Sequence, residues 1–295
     1  MSEKIDTNKS VETMSMNDDK NTPSSSTKEP SIPLNAKEEA TEFVKTALIA
    51  VFLALLIRTF IFEPFSIPSG SMKPTLLVGD YLFVNKPAYG YSRYSFPFGL
   101  APLQGRVWEG EPKRGDVVVF KLPTNTYVDY IKRVIGMPGD TVQVMRGRLY
   151  INGELVHREA IGHKQVSNVE GHEYNVIEYL ETLPGGATHS IYEESDMKSL
   201  DNTPLYTVPE GHYFMMGDNR DHSQDSRVRH AVGFVPFENF VGRADFIFHS
   251  TNGHARIYEF WKWPWTVRYD RLFNDIDPVR LTRETTPAQP EKIGK

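Results

Sequence analysis

The chain has 295 residues, a formal net charge of −5 and no cysteine. The lack of cysteine excludes disulfide bonds, thiol nucleophiles and thiolate metal sites, and the acidic balance gives no reason to expect a nucleic-acid partner, which would favour a basic face. With 21 glycines and 20 prolines, the composition favours strands and turns over a helical bundle.

Residues 1–41 have the composition of a disordered tail. From Met1 to Pro33 the chain is rich in Ser, Thr, Asn, Asp, Glu and Lys, and it has few large apolar side chains to bury. We therefore expect no packed structure in this segment.

An uncharged apolar run, TALIAVFLALLI, follows at residues 46–57. Extended in both directions, the run would span about 30 Å as a helix, and Lys45 and Arg58 near its ends could reach the membrane interface. The run begins too far from Met1 for a cleaved signal peptide, and no small-residue cleavage site follows it. We predict a single transmembrane anchor helix at residues 42–63. A core helix of a soluble protein is the alternative.

Basic residues on the two sides of this segment indicate its orientation. Lys28, Lys37 and Lys45 lie before the apolar run, whereas Arg58 and Lys73 follow it. The excess on the N-terminal side favours a cytoplasmic tail, with the rest of the chain across the membrane.

Residues 64–278 have the pattern of a β domain. Short apolar stretches repeatedly follow Gly-Asp, as YLFVN does after Gly79-Asp80. Asn152-Gly153 separates RLYI from ELV, which predicts a two-residue hairpin.

Two further boundaries follow from composition. Residues 160–207 are more polar and less patterned, which suggests an inserted smaller lobe at about residues 141–207 of the β domain. Residues 279–295 are polar, and we expect them to form a frayed C-terminal tail.

The segment IPSGSMKPTL at residues 67–76 contains a candidate nucleophile, Ser71. Its neighbours include Gly70 and Pro74, so neither a helix nor a regular strand is expected there. A serine on such a turn exposes its hydroxyl close to backbone N–H groups, which suits a nucleophile with an oxyanion site. The alternative is a structural turn that links the anchor to the β domain.

A serine nucleophile needs a base, and Lys132 in the run VDYIKRVIG is the best candidate. Apolar neighbours would remove water from its amine, and a pKa lowered by roughly three units would make it a competent base. The alternatives are a strand-edge lysine with its amine in water, and Lys73 as a rival base. The nucleophile elbow G-x-S-x-G, which is typical of serine hydrolases that use a histidine base, is absent.

The polar segment GDNRDHSQDSR at residues 217–227 follows an apolar stretch. It lacks the glycine and glutamate of an EF-hand, so we expect no calcium site there. Ser223 could exchange a hydrogen bond with a lysine. A solvated turn is the alternative.

Four segments occur in the order PSGSMKPTL, GDYLFVNK, KRVIGMPGD and GDNRDHSQDSR. Together they resemble the motifs of the bacterial type I signal peptidases, or leader peptidases, over residues 43–275. The resemblance implies a mainly β fold, in which a single N-terminal transmembrane helix precedes an antiparallel β catalytic domain with a second, smaller β-rich lobe.

The resemblance also implies roles for individual residues. Ser71 would be the nucleophile and Lys132 the general base. Ser69 would supply a hydroxyl to the oxyanion hole beside the Ser71 N–H, and Ser223 would orient Lys132.

Supporting and substrate-binding residues follow from the same resemblance. Asp225 and Arg227 would form a structural ion pair, while the role of His222 stays open because the family often has Asn there. Shallow apolar pockets would accept small substrate side chains and exclude larger or charged ones. The residues expected to line them are Phe65, Ile67, Leu82, Val119 and Ile131.

The implied function is that of a membrane-anchored serine endopeptidase, which cleaves signal peptides from exported preproteins after small residues and uses no metal or organic cofactor. Its partners would be those signal peptides and the lipid bilayer. It would lie in the bacterial cytoplasmic (inner) membrane, with the catalytic domain on the periplasmic face. Trp261, Trp263 and Trp265 would lie at the membrane interface or pack inside the β domain.

Two other hypotheses remain open at this point. One is a self-cleaving Ser–Lys protease of a related fold, and the other is a non-enzymatic anchored binding domain.

Overall fold

The structure is a computed structural model that describes residues 36–96, 102–168, 170–252 and 257–280. The predicted cytoplasmic tail falls mostly on residues 1–35 and the predicted C-terminal tail mostly on residues 281–295, and both of these ranges lie outside the described residues. The chain divides into two units, residues 1–48 and residues 49–295.

A long helix, α1, runs from Ala36 to Phe60, so it begins before the predicted start at residue 42 and ends before the predicted end at residue 63, where β1 has already begun. Acidic side chains in its first turn and Arg58 in its last turn complement the helix dipole. The stretch Lys37–Phe60 has a mean hydropathy of 2.0 and is long enough to cross a membrane. None of it is buried, contrary to the alternative of a soluble core helix.

Antiparallel strands make up most of the remaining structure. In chain order, the first strands are β1 Phe62–Ser66, β2 Asp80–Asn85, β3 Tyr91–Ser92, β4 Arg106–Val107, β5 Val117–Leu122, β6 Asn125–Gly136, β7 Thr141–Met145, β8 Arg148–Ile151 and β9 Glu154–Leu155. The later strands are β10 His157–Ser167, β11 Glu173–Thr182, β12 Ala187–Glu193, β13 Tyr206–Thr207, β14 His212–Met216, β15 Val235–Pro236, β16 Phe240–Ser250 and β17 Val279–Arg280. The short helices are α2 at Trp263–Thr266 and 3-10 turns at Arg93–Ser95, Arg220–His222, Phe237–Asn239, Phe260–Lys262 and Tyr269–Arg271.

The main sheet has seven strands in the order β1-β2-β16-β5-β6-β14-β15. Strand side chains alternate between the two faces of a sheet, so Val117 and Val119 of β5 contribute to one core cluster, and Val118 and Phe120 contribute to another. The central strand β5 is thus buried on both faces, which explains its continuous apolar run.

Two four-stranded sheets, β13-β7-β8-β9 and β10-β11-β12-β17, contain the residues predicted to form the smaller lobe. Asn152 and Gly153 both have positive φ and connect β8 to β9, which confirms the predicted hairpin. This lobe shares a core cluster with the main sheet, because Val142 and Ile151 cluster with Phe214 of β14.

The three tryptophans predicted to lie at an interface or in the core differ in their surroundings. Trp263 packs against His249, with 4.6 Å between ring centroids. Trp261 and Trp265 are exposed. An interfacial location therefore stays a prediction for those two residues alone.

Close packing of β16 against β2 leads to a test of the main sheet. A Cβ atom on Gly242 would lie 2.6 Å from the Asn85 carbonyl oxygen and 2.7 Å from Val84 Cγ1. We expect Gly242→Ala to lower the free energy of unfolding by about 1–3 kcal/mol through overpacking. Thermal unfolding of the full chain in detergent micelles measures the effect. Gly162→Ala is the control, because its Cβ would meet no atom within 4 Å; equal losses in the two variants would contradict the prediction.

Candidate active site

Ser71 lies in the turn between β1 and β2, and buried neighbours hold this turn in place. Met72 and Leu76 are fully buried beneath it. The Asn219 N–H donates to the Ser71 carbonyl over 3.1 Å, and Asn219 Nδ2 donates to the Gly70 carbonyl over 3.0 Å. The turn is therefore anchored by the polar segment at residues 217–227.

Lys132 lies on β6, between β5 and β14, and points at this turn. Its Nζ donates to Ser71 Oγ over 2.7 Å and to the Ile131 carbonyl over 2.9 Å. The amine also lies 5.2 Å from the centroid of the Tyr130 ring. The side chain is buried, which excludes the alternative of a strand-edge lysine with its amine in water.

Burial lowers the pKa of Lys132 to about 8. Asp225 and Asp218 act in the opposite direction and raise it, while Arg227 lowers it further. At pH 7.4, roughly one amine in five is then neutral, compared with about one in a thousand for an ordinary lysine. A buried amine with this pKa, bonded to a serine hydroxyl, can act as a base near neutral pH.

Ser69 and Lys73 are the other two candidates for a role beside the Ser71 hydroxyl. Ser69 Oγ lies 3.5 Å from Ser71 Oγ, at the limit of a hydrogen bond. Lys73, the rival base, donates its Nζ to the Ser167 carbonyl instead of to Ser71. The structure therefore brings Lys132, and not Lys73, to the serine.

Asp225 and Arg227 form the expected ion pair. Arg227 Nε and a terminal guanidinium nitrogen each lie 2.9 Å from an Asp225 carboxylate oxygen, and both side chains are fully buried. Burial alone would raise the pKa of Asp225, but the charge and hydrogen bonds of Arg227 lower it overall. Asp225 also accepts from the Gly217 N–H over 3.1 Å, so the pair fixes the start of the polar segment.

The predicted hydrogen bond from Ser223 to Lys132 is not formed. Ser223 Oγ is buried close to Asp225 and helps to lower the pKa of that carboxyl, but its geometry satisfies no regular hydrogen bond. Both Lys132 hydrogen bonds go to other partners. An orienting role for Ser223 stays a prediction.

A cavity of about 840 Å³ opens beside the serine and the lysine. Four of the five predicted pocket residues line it: Phe65, Ile67, Val119 and Ile131. Leu82 does not line the cavity, because its side chain is fully buried in the core cluster that also contains Ile67 and Val119. His222, whose role the sequence left open, lines the same cavity.

A comparison with known families identifies the chain. The family model described as signal peptidase, peptidase S26, matches residues 40–249. The chain belongs to this signal peptidase family. Signal peptidase I of Rickettsia typhi is 43% identical over 243 residues, which cover 77% of this chain and 90% of that protein. Signal peptidase I of Rickettsia canadensis is 41% identical over 259 residues, covering 82% and 96%.

A crystal structure of a signal peptidase I from Enterococcus faecalis is 29% identical in sequence. It covers 45% of this chain and 96% of its own chain, with a TM-score of 0.28. This score is too low for the superposition to bear on the fold, so the membership rests on the sequence relationships.

Sequence reasoning missed a buried ion pair next to the base. Arg133 follows Lys132, and its guanidinium donates to both carboxylate oxygens of Asp218, over 2.8 and 2.6 Å. Thr75 donates to the same carboxylate over 2.5 Å. The sequence offers two signals for this pair: Arg133 lies inside a strand-like apolar run, and Asp218 lies beside a predicted turn. A buried charge requires a partner, so the arginine predicts an acidic residue nearby.

The low pKa of Lys132 carries a cost in stability that can be measured. The folded-state pKa of about 8 lies below the ordinary 10.5, so the folded protein binds this proton less tightly than the unfolded chain does. The penalty is complete below about pH 8 and disappears above about pH 10.5, and it corresponds to about 3 kcal/mol.

We therefore expect Lys132→Met to raise the free energy of unfolding by up to about 3 kcal/mol at pH 7, less the value of the lost hydrogen bonds. Denaturant unfolding in micelles at pH 7 and at pH 9.5 would measure the gain, which should shrink at the higher pH. A variant less stable than wild type at pH 7 would contradict the prediction.

Proposed function

We propose that this protein is a membrane-anchored serine endopeptidase that cleaves signal peptides from exported preproteins, with Ser71 as the nucleophile and Lys132 as the general base. The observation that carries the proposal is the 2.7 Å contact between Lys132 Nζ and Ser71 Oγ. It lies at the wall of an open cavity in a chain of the signal peptidase family.

The reaction begins when Ser71 attacks the scissile carbonyl and neutral Lys132 accepts its proton. The Ser71 N–H and the Ser69 hydroxyl stabilise the oxyanion of the tetrahedral intermediate. The Lys132 ammonium then protonates the departing amine, and this step restores the neutral base. Water hydrolyses the acyl-enzyme with Lys132 as the base again.

Apolar residues at one end of the cavity support a preference for small residues before the cut. Phe65 and Ile67 come from β1 and its continuation, and Val119 and Ile131 come from β5 and β6. Apolar walls would leave a charged side chain desolvated and without a partner, and a large side chain would clash. Alanine-sized side chains fit these constraints.

The family and α1 together indicate a membrane-anchored protein, and we propose the cytoplasmic membrane of a bacterium as its location. Two contacts join the end of α1 to the β domain: Tyr91 Oη donates to the Phe60 carbonyl, and a terminal guanidinium nitrogen of Arg58 lies 3.4 Å from Glu63. Ser71 follows shortly after these residues and would therefore lie close to the bilayer surface. The orientation with the catalytic domain outside rests on the lysines before the anchor.

Two single substitutions test the assignment of the nucleophile and the base. We expect Ser71→Ala to abolish preprotein cleavage by the full-length enzyme in micelles, because the Ser71 hydroxyl is the group that contacts the Lys132 amine. Lys132→Arg should abolish it as well, since arginine does not lose its proton at accessible pH. The control is Lys164→Arg, which changes an exposed lysine paired with Glu178 outside the cavity. Cleavage retained by Ser71→Ala would refute the enzyme assignment.

The pH dependence of kcat/KM provides a separate test. Lys132 must be neutral to accept the proton, and its pKa is about 8, so kcat/KM should fall about tenfold per pH unit well below pH 8 and level off above it. A preprotein cleavage assay between pH 5.5 and pH 9.5 measures this profile. Activity that is highest near pH 6 and declines towards pH 8 would exclude Lys132 as the base.

A further inference from the structure

The cavity beside Ser71 has a second end, which differs in chemistry from the apolar one. Polar side chains line it, and they come from three separate parts of the chain. They are Lys73, Asn168, Tyr174, Asn219 and His222.

The end of β10 and the start of β11 reach this end of the cavity and are hydrogen-bonded there. Lys73 Nζ donates to the carbonyl of Ser167 at the end of β10. Asn219 Nδ2 donates to Tyr174 Oη over 3.1 Å, and the rings of Tyr174 and His222 lie 4.1 Å apart between centroids. The hairpin of the smaller lobe therefore forms a wall of the cavity next to the nucleophile.

The two basic side chains of this wall, His222 and Lys73, differ in whether a carboxylate lies next to them. His222 Nε2 lies 2.9 Å from a Glu194 carboxylate oxygen, so this side chain already has an acidic partner. Among the described residues, no carboxylate lies within 4 Å of the Lys73 amine, and its one hydrogen bond goes to a carbonyl. An ammonium group has three donors, so two of the Lys73 donors remain available to a ligand.

The direction of a bound peptide follows from the proposed function, on which this inference rests. Small residues before the cut occupy the apolar end, and the scissile carbonyl lies at Ser71. A chain that continues past Ser71 within the same cavity enters the polar end. The first residues after the cut then pass Lys73, Tyr174 and His222.

We propose that Lys73, Asn168 and Tyr174 form a binding subsite for the first residues of the mature protein, and that Lys73 selects substrates with Asp or Glu at one of these positions. Lys73 is half-buried, and its amine binds such a carboxylate through its two remaining donors. Lys73 is a specificity-determining residue in this proposal, and Lys132 remains the base.

The test uses preprotein-derived peptides that are identical up to the cut and carry a single Glu or Gln at the first, second or third position after it. Full-length enzyme in micelles is assayed for kcat/KM on each pair. We expect wild type to prefer Glu over Gln at one position by about three- to tenfold, the size of a partly exposed ion pair. Added salt should reduce this ratio because it screens the pair.

Three variants isolate the charge of Lys73. Lys73→Met should bring the Glu/Gln ratio close to one, Lys73→Glu should invert it, and Lys73→Arg should keep most of it. Lys164→Met is the matched control, because Lys164 is a lysine of the same hairpin whose amine pairs with Glu178 and does not line the cavity. Its ratio should equal that of wild type.

The outcomes separate this inference from the proposed function. A wild-type ratio of one at all three positions overturns the subsite, and so does a Lys73→Met enzyme that loses activity equally on both peptides and keeps the ratio. The latter result would mean that Lys73 only tethers the hairpin. In both cases Ser71-dependent cleavage would leave the proposed function intact, whereas its absence from wild type would overturn both.

Discussion

The removal of water from the Lys132 amine is the constraint on which the site depends. Two carboxylates, Asp218 and Asp225, lie close enough to raise the pKa of this lysine, and either of them alone would favour the charged form. Each carboxylate is bound to a buried arginine, Arg133 or Arg227. The ion pairs thus hold both carboxylates in place, and the charge of Arg227 lowers the pKa of Lys132 against the effect of the two aspartates.

These ion pairs also connect the nucleophile to the base. Arg133 is the neighbour of Lys132 on β6, and its partner Asp218 precedes Asn219, which binds the turn that carries Ser71. At Gly217 a Cβ atom would lie 2.5 Å from the Ser71 carbonyl oxygen, so a larger residue there would push the two segments apart. The distance between hydroxyl and amine is therefore determined by packing on both sides, which limits the reorganisation needed for proton transfer.

Local patterns predicted the β domain, the Asn152-Gly153 hairpin and the contact between Ser71 and Lys132. Each of these depends on short segments with a recognisable chemistry: apolar alternation, a turn dipeptide, and a lysine in an apolar run. The pairing of Arg133 with Asp218 joins residues that are distant in sequence, and no periodicity marks such a pair. The position of Leu82 depends on which face of β2 is turned to the core. Pocket residues and core residues are both apolar, so the sequence alone does not distinguish them.

Strand β17 leads to a consequence for folding during synthesis. It closes the sheet β10-β11-β12-β17, and Arg280 within it pairs with Asp116 next to β5. Until residues 279–280 leave the ribosome, the edge of β12 has no strand to pair with and Asp116 lacks this cation. An unpaired strand edge readily recruits other chains. The last two described residues of the chain therefore complete a sheet whose other strands have all been synthesised before them.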